Sequence, residues 1–229
     1  MKKLLWCGGS HLANAKNVIC EQYQEFDNHF LPTAGPLLER WGLNGGEYRI
    51  DRCKQIISRE KIGCLSEVCV DLSAFDRIIF VGQWIVPRRL FRPKVPLSLS
   101  LLRTICNSEN FFQLKSFAPN IPLQLFPELT SPACKTILLP DPYPVEKYTY
   151  ASGHFWEIPE HVLDYFYDCV NNACMSLGVE IIEHPISTLC KKYAADNKFV
   201  RPTRNGRVDH HLSDEFWRIY ISDSKDLIS

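Results

Sequence analysis

The sequence predicts an α/β fold: a central, mostly parallel sheet with helices on both faces, a three-layer α/β/α sandwich. Three observations predict it. Short apolar runs recur along the chain and break at glycine or proline. Stretches of helical periodicity alternate with them. The hydrophobic share, 45% of 229 residues, is enough for one sizeable core, so residues 1–229 are read as one domain.

The first run, Lys3 to Cys7, ends in Gly8-Gly9-Ser10. From His11 to about Gln24 the residues Leu12, Ala15, Val18 and Ile19 are spaced for one helical face, which gives a strand, tight turn and helix. Later strands are predicted at His29 to Ala34, stopped by Gly35-Pro36, and at Arg77 to Val81, stopped by Gly82. Two more fall at Lys135 to Leu139, closed by Pro140-Asp141-Pro142, and at Val179 to Glu183, closed by His184-Pro185. The clearest helix runs from about Pro159 to Leu177, with Val162, Phe166, Cys169, Val170 and Ala173 on one face and Gly178 at its exit. Residues 86–132, rich in proline, hold one further helix near Leu97 to Cys106 and read as an irregular elaboration of the same domain.

Composition narrows the function. Lys+Arg and Asp+Glu number 26 each, so no basic field exists to gather nucleic acid or anionic lipid. The apolar run at the N-terminus is too short for a signal peptide or a membrane span, so a cytoplasmic protein with no membrane-spanning segment is expected. The ten cysteines are scattered, many in apolar stretches (Cys7, Cys106, Cys169, Cys174), and read as reduced core thiols. The closest pairs, Cys64 with Cys69 and Cys169 with Cys174, lack a histidine at zinc-site distance, and there is no phosphate loop. No metal or organic cofactor is expected.

In an α/β sheet, sites lie beyond the carboxyl ends of the strands. Ser10 falls there, beside helix N-terminal N–H groups that can receive an oxyanion. Serine at that place also caps helices, and taken alone Gly8-Gly9-Ser10-His11 favours the cap. Near the other end, Asn205-Gly206-Arg207-Val208-Asp209-His210-His211-Leu212-Ser213 leads into a final amphipathic segment with Phe216, Trp217, Tyr220 and Ile221. A histidine next to a carboxylate can act as general base for a serine hydroxyl, because imidazole titrates near neutral pH and the carboxylate steadies the imidazolium. Asp141 and His184 each follow a strand and read as turn residues bordering a pocket. Tyr143, Tyr148, Tyr150, Phe155 and Trp156 are candidates to line it.

Gly8-Gly9-Ser10-His11 after the first strand resembles the Gly-x-Ser block of the SGNH/GDSL hydrolase superfamily, in its Ser-His form. Asp209-His210-His211-Leu212-Ser213 resembles the last block, and Phe30 to Gly35 and Phe75 to Gln83 resemble the two blocks between. Two positions depart from the pattern. Asp209 stands two residues before His211, where the block has three, and Gln83 replaces the usual asparagine.

The resemblance implies a flavodoxin-like sheet and a serine esterase or O-acyltransferase working through an acyl-enzyme. Its substrate would be an ester of a small molecule or carbohydrate. Ser10 would be the nucleophile, His211 the base and Asp209 its orienting carboxylate. Gln83 and the Gly35 N–H would hold the oxyanion, with Gly45 or Gly46 in reserve. The rival expectation is a non-catalytic binding domain on the same fold. A nucleotide-binding protein is disfavoured by the missing phosphate-loop patterns.

Overall fold

The structure, a computed structural model, describes residues 1–32, 41–44, 47–50, 68–71, 74–83, 100, 104, 135–145, 158–176, 178–202 and 208–229. Its centre is a sheet of β1 (Lys3–Gly8), β2 (Asp27–Pro32), β6 (Arg77–Gln83), β7 (Lys135–Pro140) and β8 (Val179–Ile181) in the order β2-β1-β6-β7-β8, with every neighbouring pair parallel. Sequence succession runs outward from β1 in both directions, so β1 sits at the topological switch point. Crevices for ligands open there, beyond the carboxyl ends of the strands.

Helix α1 (Ser10–Gln22) follows β1. Helix α2 (Glu160–Ser176) joins β7 to β8. The final helix α3 (Asp214–Asp223) is followed by the single turn α4 (Lys225–Ile228). Strand alternation divides the core. Leu4, Trp6, Ile79, Val81, Ile137 and Leu139 share one cluster with Leu12, Ala15 and Ile19 of α1 and with Phe216, Trp217 and Tyr220 of α3. Leu5, Cys7, Ile78, Phe80 and Leu138 are equally buried and point to the other face. Right-handed crossovers running outward in opposite directions put α1 and α2 on opposite faces. The buried side chains Val162, Leu163, Phe166 and Val170 accordingly close the second layer.

The α1–α3 seam is tied by Gln22 Nε2 donating to the Arg218 carbonyl at 3.0 Å and by an Arg218–Glu21 ion pair. The exposed pair adds little. Phe216 and Trp217, fully buried, add much more, since truncating such a residue costs about 3–5 kcal/mol. Cys174 is buried, and burial pushes its thiol up to about 12, as an inert core thiol requires.

The structure corrects the sequence reading in three places. Gly82 does not end its strand. The strand continues to Gln83 through a register shift at Gly82, which has φ +67°. The fifth strand is shorter than expected and stops at Ile181. The Val208 to Leu212 stretch, expected only to lead into the final amphipathic segment, is a strand, β12 (Val208–Leu212), paired antiparallel with β11 (Val200–Pro202). Two other antiparallel units were not foreseen: β3 (Trp41–Asn44), β4 (Glu47–Ile50) and β5 (Val68–Asp71), and the short hairpin β9 (Leu189–Lys191) with β10 (Ala194–Ala195). Within 86–132 only Ser100 and Thr104 are described, both helical, in the segment expected to be a helix; the rest of the elaboration lies outside the described residues. Among the described residues no helix is long and apolar enough to cross a membrane.

Candidate active site

The turn from β1 into α1 is built by close approach. A Cβ on Gly8 would stand 2.5 Å from the Val81 carbonyl oxygen of β6 and 2.8 Å from Leu12 Cβ, so only glycine lets the strand end and the helix start pack this tightly. Gly9 is the N-cap, with its carbonyl accepting from Ala13 N–H at 3.2 Å, and Ser10 is the first helical residue. The Ser10 hydroxyl therefore does not occupy the capping place. It stands half-buried at the switch point, where the first N–H groups of α1 have no intrahelical acceptor.

The next residue, His11, is buried at 3% exposure. Its Nε2 lies 3.3 Å from Oδ1 of Asp141, in the segment leaving β7. That is an ion-pair distance between two enclosed side chains. His11 also rests on Gly82, where a Cβ would meet His11 Cβ at 2.3 Å. The positive φ and the contact both require glycine at 82, and one residue later β6 ends at Gln83.

His211 arrives from the far end of the sequence on β12. Its ring lies 5.0 Å, centroid to centroid, from that of His11, tilted by 51°. Trp217 of α3 closes the group with its ring 5.9 Å from His11, and its buried Nε1 has no hydrogen-bond partner among the described residues. The fold thus gathers the Ser10–His11 turn, the end of β6, Asp141 and His211 into one corner. Asp209 lies on the same strand as His211. Gly35, Gly45 and Gly46 lie outside the described residues.

A cleft of about 640 Å³ opens on the other side of the Pro140–Asp141 segment, lined among others by Tyr143, Tyr167 and His184, and by Tyr193 beside the β9–β10 hairpin. His184 Nε2 donates to the Asp141 carbonyl at 2.9 Å, and its ring stacks on Tyr143 at 3.9 Å. Burial pulls the His184 pKa down to about 4, so the ring is neutral near pH 7 and can be a fixed donor. Tyr193 donates to Asp164, which also pairs with Lys192 at 2.7 Å. The Tyr167 hydroxyl is buried with no partner among the described residues. Of the aromatics expected from the sequence, Tyr143 lines this cleft; Tyr148, Tyr150, Phe155 and Trp156 lie outside the described residues. Tyr167 and Tyr193 were missed because one reads as helix periodicity and the other lies in an unforeseen hairpin.

His11 was also missed as a member of the site. Its position next to Ser10 was the available signal, but its partner Asp141 is distant in sequence and reads as a turn residue.

No family model matches the chain, and no curated protein does. Solved structures do resemble it. A Streptococcus pneumoniae protein described as a candidate platelet activating factor superposes with TM-score 0.50 at 15% identity, covering 100% of this chain and 84% of its own. A lipase/acylhydrolase from Enterococcus faecalis gives TM-score 0.48 at 12% identity, covering 100% and 96%. A candidate acylhydrolase from Bacteroides fragilis gives 0.45 at 10%, covering 100% and 88%. At such identities the likeness is one of fold. The chain shares with the first of these an α/β fold with a central parallel sheet flanked by helices.

Proposed function

We propose that the chain is a serine hydrolase of the esterase type, or an O-acyltransferase, with Ser10 as nucleophile and His211 as base. One observation carries this. Ser10 opens α1 at the switch point without serving as its cap, and the fold brings His211, from the opposite end of the sequence, into ring contact with the adjacent residue.

Ser10 Oγ attacks the ester carbonyl as His211 takes the hydroxyl proton. The carbonyl oxygen becomes an oxyanion near the first N–H groups of α1, with Gln83 and the Gly35 N–H as further donors. Collapse expels the alcohol, which takes the proton from the imidazolium and leaves an acyl-serine. Water resolves it in a hydrolase, another alcohol in a transferase. Side chains alternate along a strand, so one of the two histidines faces this corner, and the ring contact supports His211. Asp209 would orient the base, or the pair would act as a dyad. No metal or cofactor enters these steps. The cleft beyond Asp141 would seat part of a small-molecule or carbohydrate ester. We read the chain as one cytoplasmic domain.

A fluorophosphonate probe tests the proposal, because it phosphonylates an activated serine. The wild type is expected to be labelled and the Ser10→Ala protein is not. Turnover of a short-chain aryl ester should be abolished in the variant while stability changes by about 1 kcal/mol or less. Labelling or turnover surviving in Ser10→Ala removes Ser10 from the mechanism. A folded wild type inert to the probe favours a non-catalytic binding domain, the reading that Gln83 in the asparagine position and the short Asp209 spacing would suit.

A further inference from the structure

The mechanism above leaves His11 and Asp141 without a part. An enclosed imidazole–carboxylate pair is an expensive way to fill space, since apolar residues of similar volume are usually as stabilising or more so. Here the fold also gives up a side chain at Gly82 to make room for His11. The pair lies where its field and shape reach the proposed base: His11 adjoins Ser10, and its ring is 5.0 Å from that of His211.

We propose that His11 is a positioning residue, held by Asp141 against Gly82, that fixes the ring of His211 towards Ser10 and transmits the support of the Asp141 carboxylate to it. This rests on the assignment of Ser10 and His211 above. Asp141 would then support the base through an intervening imidazole. No proton passes from His11 to substrate; the transferred proton goes from Ser10 Oγ to His211 and on to the leaving alcohol.

Among the described residues, the titratable groups that bear on His11 come from three stretches of chain. The segment after β7 brings Asp141, and β12 brings His211 together with Asp209 and His210 in sequence. Beyond the Asp141 carbonyl stands His184, which burial keeps neutral near pH 7.

Steady-state kinetics of Asp141→Asn, His11→Gln and the double variant on a short-chain aryl ester test the proposal. Each single variant is expected to lose about 10- to 100-fold in kcat with KM within about twofold, and the double to fall no more than about threefold below the worse single, because the two act as one unit. Folded single variants with kcat within about threefold of wild type overturn it, as does a double variant showing the product of the two losses. So does a rise in KM at unchanged kcat. Long-range proton–nitrogen spectra of wild-type imidazoles give a second readout that needs no variant. They should show His11 Nε2 protonated and hydrogen-bonded near neutral pH, and a bare Nε2 overturns the proposal. Ser10→Ala separates the two levels. If it is inactive while the Asp141 and His11 variants are normal, the positioning role alone fails; if it is active, the assignment of the site fails and the positioning role with it.

Discussion

The corner around Ser10 and the cleft next to Pro140 differ in what they can do. The corner places two imidazoles, a carboxylate and a serine at the start of a helix. The cleft is tyrosine-rich, and its tyrosines resist ionisation. Burial raises Tyr143 and Tyr193 well above the ordinary phenol range, with Glu183 adding to the first and Asp164 to the second. His184, its one enclosed imidazole among the described residues, is held neutral and already donates to a carbonyl. Groups that do not change charge near neutral pH make poor acids and bases but good fixed surfaces. On the proposed function, the contrast amounts to a division of labour about the Pro140–Asp141 segment, with reaction at the corner and recognition in the cleft.

Substitutions can break or sharpen that contrast. The largest effect should come from His211→Ala, which is expected to lower kcat by about 10³- to 10⁴-fold, with the Ser10→Ala, His211→Ala pair little worse than either alone. His210→Ala should cost less than about tenfold on the same assay. A reversed ranking would transfer the base role to His210, and mild effects from both would end the dyad. Gln83→Ala should lower kcat by about 10- to 1000-fold with an unchanged melting temperature, as for the loss of one oxyanion donor, and a neutral result would assign that place to another group.

On the recognition side the signature should reverse. Tyr193→Ala is expected to raise KM for a bulky aromatic ester by about tenfold and leave kcat within about twofold, since it removes a ring that binds ground and transition states alike. An equal loss with a minimal acetyl ester would show that the cleft is not a seat for substrate.

A last effect falls on stability and not on rate. His184 is neutral when folded and takes a proton in the unfolded chain below its ordinary 6.5, so the fold loses stability as pH falls through 6.5 and stops losing it near 4, by about 3 kcal/mol in all. Urea midpoints between pH 7 and 4 should therefore fall more steeply in wild type than in His184→Gln. Parallel slopes would mean that His184 is not the group responsible.

The parts of the molecule legible in the sequence were those whose signal is local. β1, α1, β7, α2 and α3 announce themselves by apolar runs or helical spacing, and the four aromatic and aliphatic residues expected on the inner face of α3 are all buried. Gly82 was misread because a glycine after an apolar run signals a stop, whereas here the residue packing on it, His11, is what demands the absence of a side chain. β12 was hidden by the turn chemistry before it, and its partner β11 is three residues long. Ser10 and His211 were legible as separate motifs. The His11–Asp141 pair was not, since a tertiary ion pair leaves no periodicity behind.

The order of the chain has a consequence for how such a corner comes into being. Ser10 opens the helix after β1, whereas the strand carrying His211 follows every strand of the central sheet in the chain. On the proposed mechanism, a polypeptide emerging from the ribosome carries an unactivated serine until the residues around His211 have been made. Reactivity then switches on only when the β11–β12 hairpin docks, so completion of the fold would itself be the step that arms the enzyme.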